Sequence, residues 1–78
     1  MRVTPNTVRF AVVIVKTEDG YAAAIPDLLG CAVNGRTVGL AQHAIRLAAQ
    51  NYVARLREQG QPLPTPSSQI GYVEVAIS

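Results

Sequence analysis

The stretch Lys16-Thr-Glu-Asp-Gly-Tyr-Ala-Ala-Ala-Ile-Pro-Asp-Leu-Leu-Gly-Cys31 decides the fold. A β-branched run (Val12, Val13, Ile14, Val15) leads into the acidic turn Thr17-Glu18-Asp19-Gly20, and a short strand leaves it at Tyr21. Gly20 can take a positive φ, which suits a hairpin connection. The second strand stops at Pro26-Asp27, because proline cannot donate to a ladder, and Gly30 frees the backbone for a turn before Cys31. A third strand over residues 31–33 ends at Asn34-Gly35. The reading so far is strand, hairpin, strand, loop, strand.

Working outward, residues 1–6 read as a loose lead-in containing Pro5. Residues 7–16 alternate, with Val8, Phe10, Val12 and Ile14 on one face. The other face, Arg9, Ala11, Val13 and Val15, is also largely apolar, which predicts a central strand. Tyr21, Ala23 and Ile25 oppose the small Ala22 and Ala24. Three alanines are poor strand formers, and their smallness suits a helix packed closely over the sheet. Thr37 is a candidate N-cap, and Ala41, Ala44, Ile45, Ala48, Tyr52 and Leu56 form an apolar stripe at helical spacing. Gly60 is a natural stop. Residues 61–68, with Pro62, Pro64 and Pro66, should run extended over the surface. Residues 70–77 alternate again and predict a fourth strand. Tyr72, Glu74 and Ala76 would lie on one side, Val73, Val75 and Ile77 on the other.

The chain has 78 residues, enough for one domain over 1–78 with a single small core. It is 49% apolar and only 15% charged, a balance that favours a sticky face and hence a protein partner or a second copy. Its longest nearly uncharged stretch, residues 10–15, is too short to cross a bilayer, so no membrane association is expected. No signal peptide is evident at the start, and one cysteine cannot form an internal disulfide; the expected location is the cytoplasm. The net charge of +2 is mild, and the aromatics do not alternate with basic residues. Neither DNA nor RNA binding is expected from this chain alone.

Two motifs in order resemble the HicB antitoxin family. The first is the quoted stretch, similar to a pattern (E/K)-x-(E/D)-D-G-Y-x-A-x-x-P-D-L-P-G-C. The second, Gln59-Gly60-Gln61-Pro62-Leu63-Pro64-Thr65-Pro66-Ser67, is similar to the G-x-P-(I/L)-P-x-P-S segment that follows the helix in such chains. The resemblance covers residues 8–68. It implies an α+β domain of order β-β-β-α-β, a partial ribonuclease-H-like fold. One antiparallel-dominated sheet would carry a single helix on one face. It also implies half of a prokaryotic toxin–antitoxin system: a non-enzymatic homo-oligomer that binds and occludes a small HicA-like mRNA-degrading toxin. The other reading of the same resemblance is an orphan HicB-like scaffold or ligand- or protein-binding module without a toxin. No C-terminal DNA-binding domain is expected within the chain. Three departures from the pattern stand out. Leu29 replaces a proline, the helix start lacks its usual glutamates, and Arg46, Arg55 and Arg57 make the helix basic.

The candidate partner-binding residues are Glu18, Asp19, Tyr21 and Asp27. Glu18 and Asp19 would form, with Tyr21, an acidic rim facing a basic toxin. Tyr21 packing on the sheet face is the alternative. Asp27 either caps its own turn through its side chain or contacts a partner. Ile70, Tyr72, Val73, Val75 and Ile77 are the candidate oligomer interface, pairing with a second copy by strand addition or completing the chain's own sheet. No cofactor or metal is expected. A metal nuclease needs converging carboxylates, whereas the five acidic residues are scattered and residues 11–15 hold none. Cys31 reads as a small buried hydrophobe and His43 as a surface histidine. Without an orienting third group the two do not make a nucleophile and base.

Overall fold

A computed structural model describes residues 8–77. The lead-in over residues 1–6, Thr7 and Ser78 lie outside the described residues. The order is β1 (Val13–Thr17), β2 (Gly20–Ala24), β3 (Ala32–Gly35) and α1 (Val38–Glu58). The strands form one three-stranded antiparallel sheet in the order β1-β2-β3, an α+β arrangement with the helix packed on the sheet.

The hairpin is tighter than a four-residue connection. Thr17 pairs with Gly20, so Glu18 and Asp19 alone make the loop. Gly20 has φ 152°, and a Cβ there would lie 2.5 Å from the Gly35 carbonyl oxygen. The glycine therefore serves both the turn and the close approach of β3. After β2, Leu28 N–H donates to the Ile25 carbonyl (3.0 Å) and Cys31 N–H to the Leu28 carbonyl (3.0 Å). Two turns follow each other, the first with Pro26 at its favoured second position, the second with Gly30 at φ 79°.

The register assigns the two faces. Ile14, Ala23 and Val33 lie abreast on the helix side; Val13, Ala24 and Ala32 lie abreast on the other, as do Val15, Ala22 and Asn34. The helix starts where expected: Thr37 is extended at φ −128°, and Leu40 N–H donates to its Oγ1 at 3.1 Å. It ends on paired bonds, Gln61 N–H to the Leu56 carbonyl and Gly60 N–H to the Arg57 carbonyl, with Gly60 at φ 69°. These are the two bonds of a Schellman stop. Arg55 and Arg57 occupy its last turn, where positive charge complements the helix dipole.

The buried core is Ala23, Ile25, Leu28, Cys31, Ala41 and Ile45, flanked by Phe10, Val12, Ile14, Tyr21 and Val33. Among the described residues only Leu28 and Ile45 are large and fully buried, each contributing roughly 1.5–3 kcal/mol. That is a small core for a chain that is half apolar. The helix lies over β3 and β2 and barely reaches β1. Meanwhile Val13 and Val15 are 47% and 52% exposed on the opposite face.

Three expectations are corrected. The first strand covers Val13–Thr17 rather than 7–16, because its partner ends at Ala24, where the chain turns into Pro26. Among the described strands β1 is an edge, not the centre of the sheet; β2 is central. Finally, residues 70–77 do not complete the chain's own sheet. They carry no ladder, and the centre expected of β1 is missing for the same reason.

Two glycines near the helix start predict opposite outcomes. A Cβ on Gly35 would sit 2.5 Å from the Ala41 amide nitrogen and 2.8 Å from its Cα, both backbone atoms that cannot step aside. Gly35→Ala should cost about 1–3 kcal/mol or more. A Cβ on Gly39 meets nothing nearer than Thr37 Oγ1 at 3.9 Å, so Gly39→Ala should add about 0.5–1 kcal/mol. Urea unfolding of both variants checks the signs.

Candidate interaction surface

The residues that matter for binding fall in three places. The first is the hairpin tip, where Glu18 and Asp19 are exposed. Tyr21 does not join them. It is half-buried on the helix side and packs against the core. Lys16, its cross-strand partner, places Nζ 5.1 Å from the ring centroid. A cation over that face is a modest attraction at an exposed site. The acidic feature is therefore the two-residue tip alone, with Lys16 one step behind it.

The second place is Asp27, whose side chain does not cap its own turn. The turn closes through backbone bonds, and the carboxylate reaches 40 residues along the chain instead. Its Oδ2 accepts from the Ser67 and Ser68 amides, each at 3.0 Å. Its Oδ1 accepts from the Ser67 hydroxyl at 3.2 Å and the Ser68 hydroxyl at 2.8 Å. These donors, led by the Ser68 and Ser67 amides, hold the carboxyl below its ordinary value. Charge-assisted bonds of this kind are stronger than neutral ones. Sequence motifs held both ends of this clamp, Pro26-Asp27 and Pro66-Ser67-Ser68, but nothing in their spacing paired them.

The third place is the segment beyond the clamp. Ile70 is 61% exposed, Tyr72 92%, Val73 86%, Val75 72% and Ile77 96%. Side chains of this size left in water over successive residues mark a surface awaiting cover.

A groove of about 560 Å³ lies between α1, residues 8–10 and Leu63. Val8 and Phe10 line it from the approach to β1, Ala49, Val53 and Ala54 from α1, and Leu63 from the proline-rich segment, with Arg46 and Arg57 supplying charge. The sequence could not reveal it, because its walls come from three separate segments that only folding brings together.

Cys31 is buried at 6% exposure, and burial pushes its thiol up, with the charge of Arg55 opposing in part. His43 is exposed on α1, on the side away from the buried Ala41 and Ile45. The two are not brought together. Among the described residues, no group of three or more His, Cys, Asp or Glu side chains could hold a metal ion. No described helix is long and apolar enough to cross a membrane. No family model matches the chain, and no curated protein matches it.

The clamp should respond to pH in one direction. Because the folded carboxyl titrates below its ordinary value, the clamp is fully formed above about pH 4 and is lost as pH falls through the lower folded value. The Ser67 and Ser68 amide resonances should move together with a midpoint below that of a free aspartate. Asp27→Asn, which sets an amide group against four donors, should speed amide exchange there and leave α1 protected. A second test concerns the thiol: Cys31 should react with a thiol reagent only at the rate of unfolding, and fast labelling of the native chain would contradict its burial.

Proposed function

We propose that this chain is a HicB-like antitoxin module that neutralises a small, basic HicA-type ribonuclease by covering its surface. The observation that carries the reading is how much apolar structure the chain leaves uncovered. Among the described residues six are buried in the core, while the sheet's open face and the segment over 70–77 remain in water. Such surfaces belong to proteins whose work is to bind other proteins. The exposed Glu18 and Asp19 give the hairpin tip the sign that a basic partner requires. Inhibition by occlusion asks nothing catalytic of any residue. The two sequence motifs support the family reading, and action in the cytoplasm is part of the same proposal.

The uncovered tail also favours a second reading, a homo-oligomeric HicB-like scaffold without a toxin. The basic Arg46, Arg55 and Arg57 on α1 weigh toward it, since they would repel a basic partner approaching the helix.

Co-expression with the small open reading frame adjacent to the gene, tagging only the neighbour, separates the two. The antitoxin reading expects a complex of defined mass and relief of any growth arrest the neighbour causes. It also expects the double variant Glu18→Lys, Asp19→Lys to slow association at least several-fold at low salt without loss of fold. A clean homo-oligomer with no bound neighbour would establish the scaffold instead.

A further inference from the structure

We propose that the groove between α1 and residues 8–10 docks an extended segment of another protein. In that segment two apolar side chains stand between two acidic ones. The inference goes beyond the antitoxin reading and does not rest on it, since a basic toxin would be repelled from this face.

The groove is apolar along its middle and positive toward its ends. Phe10 and Ala49 are half-buried and pack against the core, so they make a floor backed by packed structure, and the exposed Leu63 borders it. On α1 the lining recurs at three- and four-residue spacing, from Arg46 through Ala49 and Val53 to Arg57. That spacing puts these residues on one face of the helix. The two arginines stand about three turns apart along it, roughly 16 Å at the rise of an α-helix. Among the described residues that line the groove, none is acidic. The carboxylates that pair best with guanidinium groups must therefore come with the occupant.

The spacing of the charges selects that occupant. In an extended chain the side chains on one side recur every second residue, roughly 6.6 Å apart. A segment of the form acid–x–apolar–x–apolar–x–acid thus spreads its carboxylates over roughly 20 Å, a span that two long, flexible arginine stems can meet. Its two apolar side chains then lie over Phe10, Ala49 and Val53, and about 560 Å³ gives them room. A fatty acid has one carboxylate and would leave the second arginine unanswered. No segment of this chain fits as well. Residues 1–7 carry an arginine and no acid, and residues 69–78 carry Glu74 as their one acid.

The test titrates the full chain with a fluorescein-labelled peptide, Gly-Glu-Ser-Leu-Ser-Leu-Ser-Glu-Gly, followed by anisotropy and by backbone amide shifts. A segment this short covers far less than a standard interface, so a micromolar-to-millimolar dissociation constant is expected, weakening as salt rises. Shifts should concentrate on residues 8–10 and 46–57. The double variant Arg46→Glu, Arg57→Glu should lose about tenfold or more in affinity. A peptide with lysine in place of both glutamates should bind that variant and not the parent chain, which separates charge recognition from a damaged fold. The milder Arg46→Gln and Arg57→Gln chains should each bind the original peptide several-fold more weakly. No saturation at millimolar peptide overturns the proposal, as do shifts confined to the Glu18–Asp19 tip. Binding of dodecanoate at the same residues without binding of the peptide overturns it in favour of a small amphiphile. Contacts onto Val53 from residues 1–7 or from a second copy, in the protein alone, overturn it by showing the groove already filled.

Discussion

Everything in this small domain depends on how closely α1 approaches the sheet. The contact is made of the smallest residues available: Ala23 on β2, Gly35 at the end of β3 and Ala41 on the helix, with Gly20 giving way to β3 from below. Backbone meets backbone at Gly35, where even a methyl group has no room. Such proximity closes a core in which, among the described residues, two large side chains, Leu28 and Ile45, are fully buried. It also sets where the helix sits, over β3 and β2, because those strands carry the small residues.

The second organising contact is polar and long-range. Asp27 belongs to a turn already closed by its own backbone, so its carboxylate is available, and four donors from Ser67 and Ser68 take it. Proline at 62, 64 and 66 keeps the connection from α1 extended and limits what its ordering costs in chain entropy. The C-terminal segment is therefore not a random appendage. It departs from a defined point with its apolar residues in water, an arrangement that makes sense for a chain completed by another molecule.

A chain with so small a core has little margin. A domain of this length hides a smaller share of its surface than a larger one, and stabilities of about 5–15 kcal/mol are typical even for larger domains. Covering an open edge and an apolar tail adds burial without lengthening the chain. Binding and folding thus draw on the same unsatisfied surface, which links the occluding role proposed for this module to its physical economy.

Local chemistry made much of the fold legible. The β-branched run, the acidic-Gly hairpin, Pro26 and Gly30, the Thr37 cap and the Gly60 stop each act within a few residues, where backbone sterics and nearest-neighbour hydrogen bonds decide. Strand and helix order and the small-residue packing face followed from them. What tertiary structure alone decided was everything governed by relative placement. It determined that β1 is an edge, because centrality depends on which strands arrive beside it. It determined that Asp27 serves Ser67 and Ser68 rather than its own turn, because only folding brings partners 40 residues apart within 3 Å. And it left residues 70–77 unpaired, because alternation tells a segment that it can be a strand, while the partner edge is supplied from elsewhere in space.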